Sequence, residues 1–327
     1  MRAAFVRKLG GPEAIEIGQL PVPACGPRDV LARVEALGVN HVDTFVRSGA
    51  YATPVPMPFI VGRDFVGRVV ATGEAVRGFA PGDRVWCNSL GHAGRQGAFA
   101  EYALAPAERV YPLPDGVDPA EAVSLLHAAA TAWLGLFREG ALKPGETVYV
   151  GGAGGGVGSA AVQLAVATGA RVLGAASGAD AGWVRGLGVA AVFDYRDPAL
   201  YEHIGAAAAD GVDLYWDTSG HHDFERTLPL LRRGGRVILA AGLKGSAPPL
   251  PVGALYTRDA SLRGFAISNA PVQDLAEAAR SINRHLAAGD LKTRIGLRLP
   301  LEDTARAHRL LEDPGGGHVG GRIVVIP

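Results

Sequence analysis

Eight residues, Gly151 to Gly158 (GGAGGGVG), restrict the fold of this chain more than any other feature. The run before them, Thr147 to Val150, is β-branched and aromatic and reads as a strand. The segment after them, Val157 to Thr168, is apolar and reads as a helix. Strand, glycine turn and helix in that order form the context of a dinucleotide-binding fingerprint. The strict GxGxxG spacing is replaced by Ala153-x-Gly155-x-x-Gly158, overlapped by Gly152-x-x-Gly155-x-x-Gly158. The physics survives the change. Gly155 lets the backbone approach a pyrophosphate, and Gly158 lets helix and strand pack closely. Unbonded N–H groups at the helix start attract the phosphates. Gly152, Ala153, Gly155, Gly156, Val157 and Gly158 are therefore cofactor-binding candidates. Val157, Ala161, Leu164 and Thr168 share one helical face, which is expected to lie on a sheet. The competing reading is a flexible glycine turn with no ligand.

The 327 residues suffice for two hydrophobic cores. Up to Pro119 the pattern is mostly β. Val30 to Gly38, Phe65 to Ala71 and Ala98 to Leu104 read as half-buried strands between Gly/Pro turns, which suggests a twisted barrel or sandwich. From Ala120 to Glu139 an Ala/Leu-rich stretch reads as helix. Strands at Thr147, Arg171, Ala191, Val212 and Arg236 then alternate with helical segments, as in a doubly wound parallel α/β sheet. After Leu262 two helices, Val272 to Ala288 and Leu301 to Leu311, precede a closing strand at Arg322 to Ile326. The tail is expected to return to the first domain. Residues 1–118 and 266–327 then form one domain, interrupted by residues 119–265.

The choice of cofactor turns on the second strand. An NAD site places an acid there for the ribose 2′-hydroxyl. Ala175 to Gly178 carries none, which admits a 2′-phosphate and so NADP(H). Ser177 can donate to that phosphate and Arg196 can supply charge. Asp180 complicates the reading, as an acid or simply as a helix N-cap. The net charge of zero and pI near 7.1 show no footprint for nucleic acid or an anionic membrane. No apolar run looks long enough to span a bilayer. Two distant cysteines, Cys25 and Cys87, suit a reducing, cytoplasmic setting.

Several motifs in chain order resemble one family. Gly38 to Tyr51 (GVNHVDTFVRSGAY), Gly73 to Val85 (GEAVRGFAPGDRV), Gly97 to Tyr102 (GAFAEY), the glycine loop, and Gly317 to Val324 (GHVGGRIV) are similar to those of zinc-independent, zeta-crystallin-like quinone oxidoreductases. These belong to the medium-chain dehydrogenase/reductase superfamily. The resemblance implies a GroES-like, β-rich catalytic domain interrupted by a Rossmann domain, with the active site in the cleft. It also implies a homodimer. Zinc-dependent members carry a cysteine near where Asn40 stands and Gly-His-Glu where Gly62-Arg63-Asp64 stands. No metal is therefore expected, and an acceptor that is already electrophilic fits better than an alcohol or simple ketone.

The same resemblance names site residues, and each has a plainer reading. Asn40 can donate to an acceptor carbonyl, or cap a helix with Asp43 reaching back. Arg47 can face the cleft, or pair with Asp43 at i,i+4. Tyr51 can line the pocket and donate its phenol, or be a half-buried loop aromatic. Phe45 stands where quinone reductases often have Tyr, which puts a proton relay there in doubt. Thr131 matches a residue near the nicotinamide, or bonds its own helix backbone. Tyr195 matches an adenosine-side aromatic. Gly242 and Leu243 end a parallel strand, where cofactor sits in open sheets. Phe265 and Arg322 complete the cofactor set. His41, His92 and His127 read as structural. The expected activity is NADPH-dependent reduction of a quinone. An NADPH-dependent enone, 2-alkenal or enoyl reductase uses the same site, and a non-catalytic NADPH-binding redox sensor or structural protein remains a rival from another class.

Overall fold

The computed structural model describes residues 1–243, 247–312 and 319–327. It has two compact units, Met1–His127 with Pro271–Pro327, and Ala128–Ala270. Along the first unit run β1 (Arg2–Val6), β2 (Glu16–Gln19), β3 (Asp29–Gly38), α1 (His41–Ser48), β4 (Phe59–Ile60), β5 (Asp64–Thr72), β6 (Arg84–Cys87), β7 (Tyr102–Pro106) and β8 (Tyr111–Pro112). Helix α2 (Pro119–Trp133) carries the chain across the boundary at 127/128. The change of rhythm at Pro119 thus marks the start of an element, and not the edge of a unit. The second unit holds β9 (Thr147–Gly151), α3 (Gly156–Ala167), β10 (Arg171–Ala176), α4 (Ala181–Arg185), β11 (Ala191–Asp194), α5 (Leu200–Ala207), β12 (Val212–Asp217), α6 (Phe224–Thr227), β13 (Leu231–Leu239), α7 (Val252–Tyr256) and β14 (Ser261–Gly264). The tail adds α8 (Val272–Ala288), β15 (Ile295–Pro300), α9 (Thr304–Glu312) and β16 (Arg322–Ile326) to the first unit.

Strand β3 is the spine of the first unit. It pairs antiparallel with β5 on one side. On the other, its first half pairs with β7 and its end with β16. The sheet order is β15-β16-β3-β5-β6-β8, and β2-β1-β4 form a smaller sheet. The C-terminal strands therefore sit in the same sheet as residues from the start of the chain. Phe5, Phe59, Phe65, Phe99, Leu301 and Ile323 belong to one buried cluster. The strand expected from Ala98 begins only at Tyr102. Ala98 and Phe99 instead donate their N–H groups to Gly62 and Val61 carbonyls, outside the main ladder.

In the second unit six parallel strands stack in the order β11-β10-β9-β12-β13-β14. The order reverses between β9 and β12, which opens a crevice at their carboxyl ends. Helix α3 departs from the one-sided face expected of it. Every residue from Gly158 to Ala165 is buried. The segment is apolar almost all round, so it has no wet face to define.

The stretch after α2, Leu134–Glu139, winds as a π-helix. Gly135 lies against the Trp216 ring, and a Cβ there would fall 2.3 Å from it. Together, Pro119–Glu139 is long and apolar enough to cross a membrane by length and composition, contrary to the expectation from sequence. Yet 83% of that window is buried inside the protein, as for a core helix.

Candidate active site

The glycine loop leaves β9 and wraps the start of α3. Gly152 takes φ +68°, a left-handed conformation that suits glycine. A Cβ on Gly158 would stand 2.1 Å from the Gly152 carbonyl oxygen, so only glycine fits. Gly155 is exposed, with nothing closer than 3.3 Å to a Cβ. The first intrahelical bond runs from Ser159 N–H to Gly155 O at 2.9 Å. The amides of Gly156, Val157 and Gly158 thus form the open first turn. Ala153 differs from its expected role. It is fully buried, and its N–H donates to Ala175 O at 2.8 Å, tying the loop to β10. These residues make a cradle that a Cβ would fill and a phosphate can enter, so they fit a dinucleotide.

The second unit carries the other expected cofactor residues as well. Tyr195 is 50% exposed, with the Arg196 guanidinium 5.2 Å from its ring centroid. The Ser177 hydroxyl donates to Asp180 Oδ2 at 3.0 Å. Asp180 also lies where a Cβ on Gly154 would meet its side chain at 2.7 Å. Gly242 takes φ +103°, and Leu243 is exposed. Phe265 follows β14 and donates its N–H to Leu239 O at 3.0 Å. Its ring lies 6.1 Å from Trp216 and 5.6 Å from the Arg138 guanidinium. Thr131 is buried on α2.

In the first unit the N-terminus of α1 sits on a buried charge network. Asn40 is 3% exposed, and its amide is committed at both ends. Nδ2 donates to Asp64 Oδ2 at 2.9 Å, and Oδ1 accepts from Arg322 Nη2 at 2.5 Å. Asp43 accepts from the Asn40 N–H at 2.8 Å, half of a capping box. Arg63 stands 3.8 Å from Asp43. Burial pushes the Asp43 carboxyl up to about 6 against the pull of Arg63. Burial, with the Asp43 charge beside it, pushes Asp64 up to about 8. Burial lowers the affinity of Arg322 for its proton, opposed by the two carboxylates.

Three expectations change here. Asn40 cannot donate to an acceptor while both amide ends are used; a side chain this buried satisfies its polar groups inside the protein. Arg322 donates to Asn40 and to the Ser124 and Val39 carbonyls of its own unit, so its guanidinium is spent away from a cofactor. Arg47 is fully buried and pairs with Glu312 of α9, not with Asp43. Asp43 already serves the helix N-terminus, which leaves Arg47 to anchor α1 on α9.

Tyr51 is half-buried in the loop after α1. Its N–H donates to Phe45 O at 3.0 Å, which ends α1 in a turn. Its ring packs on the core at one edge and lies 5.7 Å from the His92 ring. Among the described residues, no group of three or more His, Cys, Asp or Glu side chains is arranged to hold a metal ion. Gly317 and His318 of the C-terminal motif lie outside the described residues.

Comparison with known proteins matches this architecture. Residues 26–115 fit the alcohol dehydrogenase GroES-like domain, and residues 156–284 the zinc-binding dehydrogenase family. The quinone oxidoreductase of Lama guanicoe is 34% identical over 330 residues, covering 100% of this chain and 97% of its own. The chain belongs to the quinone oxidoreductase family of medium-chain dehydrogenases/reductases. It is an oxidoreductase that binds a nicotinamide cofactor and acts on a small molecule. A solved NAD-dependent alcohol dehydrogenase superposes with TM-score 0.89 at 32% identity, over 100% of both chains. The Escherichia coli quinone oxidoreductase in complex with NADPH gives 0.87 at 25% identity, again over 100% of both.

The oxidoreductase also carries, beside its glycine loop, residues that the sequence does not single out. At the end of β12, Thr218 Oγ1 donates to Gly151 O at 2.8 Å. Ser219 Oγ donates to Asp217 Oδ1 at 2.5 Å and meets His221 Nδ1 at 3.1 Å. The rule that pointed to Gly242, the carboxyl end of a parallel strand, applies equally to these. Asp64 was signalled only by lying beside Arg63, since nothing local shows that it meets Asn40.

Proposed function

We propose that this chain is an NADPH:quinone reductase that works without zinc. The observation that carries the reading is the Asn40–Asp64–Arg322 network. By the family resemblance, Asn40 and residues 62–64 stand where zinc-dependent relatives hold metal ligands. Here an amide and a carboxyl bond one another, and a guanidinium supplies the positive charge. A donor set so engaged is poor at ligating a cation and offers no Lewis acid to a simple ketone. An acceptor that is already electrophilic needs none. The full-length likeness to quinone oxidoreductases favours a quinone.

A bound nicotinamide supplies the hydride. The chain's residues hold and orient. Gly152, Gly155, Gly156, Val157 and Gly158 receive the pyrophosphate on the α3 N-terminus. Tyr195 stacks on the adenine, and Arg196 with Ser177 faces the 2′-phosphate. Thr131, Gly242, Leu243 and Phe265 line the nicotinamide side. Tyr51 donates its O–H to the acceptor oxygen as negative charge develops there. The quinone gains a hydride and a solvent proton and leaves as hydroquinone. One observation favours NADH as a second reading: Asp180 already occupies the Ser177 hydroxyl, and its carboxylate disfavours a 2′-phosphate.

A homodimer also fits. Strand β14 is the edge of its sheet, and Val252 and Tyr256 of the preceding α7 are exposed. A cytoplasmic setting fits the two free cysteines. The test is NADPH and NADH consumption with chelator present, against 1,4-benzoquinone, an enone and a 2-alkenal. Turnover greatest with the quinone supports the reading. Turnover only with enones or alkenals moves the chain to the double-bond reductases, and cofactor binding without turnover makes it a binding protein.

A further inference from the structure

We propose that His92, as a neutral imidazole, is the second hydrogen-bond donor of the acceptor subsite that Tyr51 opens. The inference rests on the reductase reading above and adds a residue that sequence reasoning left as structural.

Tyr51 and His92 sit on two loops that are stapled together. Ala93 N–H donates to Thr53 Oγ1 at 2.9 Å, and Gly94 N–H to Pro54 O at 2.8 Å. Gln96 closes the far end, accepting from Ile60 N–H at 2.7 Å and donating to Pro58 O at 2.8 Å. The two rings face each other at 5.7 Å with a 42° tilt. One residue of the backbone beside His92, Ala93, is costly to build. Gly91, Ala93 and Gly94 all take positive φ, and Ala93 does so at +51° with a side chain. Strain of this kind persists where the surroundings fix it, and it gathers at functional sites.

The chemistry of the ring suits a donor. Nδ1 is buried with no hydrogen-bond partner. Burial, and then the positive charges of Arg63, Arg95 and Arg109, hold the imidazole at about 4. It is therefore uncharged at neutral pH. Nδ1 is sealed away from any ligand, so the ring proton is assigned to Nε2. The Arg95 guanidinium is itself held by two bonds to Ser89 O, at 3.1 and 3.2 Å, so it contributes field without moving. A neutral N–H on the ring that faces the Tyr51 phenol, in the positive field of nearby arginines, matches an oxygen that turns anionic during reaction. His92 stays neutral throughout. It lends a hydrogen bond to the oxyanion formed by hydride addition, and solvent gives the proton.

The test compares wild type, His92→Gln and His92→Phe in kcat and KM for 1,4-benzoquinone. NADPH affinity is followed by fluorescence, and folding by thermal melting. Gln keeps a neutral N–H donor; Phe keeps the ring against Tyr51 and loses the donor. The expected result is that kcat falls on the order of 10- to 100-fold in His92→Phe. His92→Gln stays within about threefold, and both bind NADPH as wild type does. A purely structural ring would give the reverse order. His92→Phe equal to wild type, or both variants equally impaired, overturns the inference alone. A wild-type kcat that breaks near the ordinary histidine value, with the break gone in His92→Gln, overturns the neutral assignment. A wild type inert with every acceptor overturns the reductase reading, and this inference with it.

Discussion

The buried carboxyls at the foot of α1 set the electrostatics of the first unit. Both Asp43 and Asp64 sit above the ordinary aspartate value of about 4. Above that value the unfolded chain releases protons that the folded protein keeps. Their contribution to stability is therefore full below pH 4 and is lost as pH rises through about 6 to 8. Asp64 Oδ1 has no hydrogen-bond partner, as suits a protonated group. Asp64→Asn removes the Asp64 share of this dependence and leaves that of Asp43. Wild type should lose about 2–4 °C in Tm relative to the variant between pH 5 and pH 8.5. A difference that is constant, or that grows in favour of wild type, contradicts the assignment.

Arg47 gives a second prediction at this scale. Its Nε and Nη1 are buried without partners, so the ion pair with Glu312 is an incomplete match. Apolar replacement of such a pair is often neutral or stabilising. Arg47→Met should keep kcat within about twofold and Tm within a few degrees. A tenfold loss of kcat in a folded variant would return Arg47 to the acceptor site. Residue identities were legible in the sequence here, but their partners were not. Asn40 and Asp43 read correctly as a helix start because capping is local. That Asp64 and Arg322 consume the Asn40 amide depends on contacts across 24 and 282 positions, which no local pattern carries.

At the scale of elements, the glycine loop separates two roles. A methyl group at Gly158 collides with the Gly152 backbone, whereas one at Gly155 stands 3.3 Å from the Gly152 oxygen, a tight contact that a small shift relieves. Gly158→Ala should cost about 1–3 kcal/mol of stability and weaken the cofactor at least tenfold. Gly155→Ala should keep its Tm and weaken the cofactor alone. Thermal melts and cofactor titrations read both. Equal behaviour of the two variants would contradict the division. Arg196, beside the exposed Tyr195, bears on cofactor choice. Arg196→Ala should raise KM for NADPH about tenfold and leave NADH unchanged. An equal effect on both cofactors would remove Arg196 from the 2′-phosphate. Five of the six parallel strands of this unit are legible because each is an apolar run bounded by turns; the short β14, Ser261–Gly264, with Arg263 inside it, is not. The burial of α3 on all sides is not, since a helix of Ala, Val and Gly shows no preferred face.

Over the whole molecule, the return of the tail organises everything else. Strand β16 pairs with the end of β3, and so brings Arg322 to Asn40. The sequence suggested that return because the α/β rhythm stops after Leu262. It could not show which strand the tail would join. The most direct measurement is a single-turnover reaction of chelator-treated protein with NADPH and 1,4-benzoquinone, using 4-deuterated cofactor as the comparison. The account predicts one cofactor oxidised per site, at a rate that depends on the quinone and is slowed by deuterium. Cofactor that binds but is not oxidised in the presence of quinone, or oxidation that requires added zinc, would contradict it.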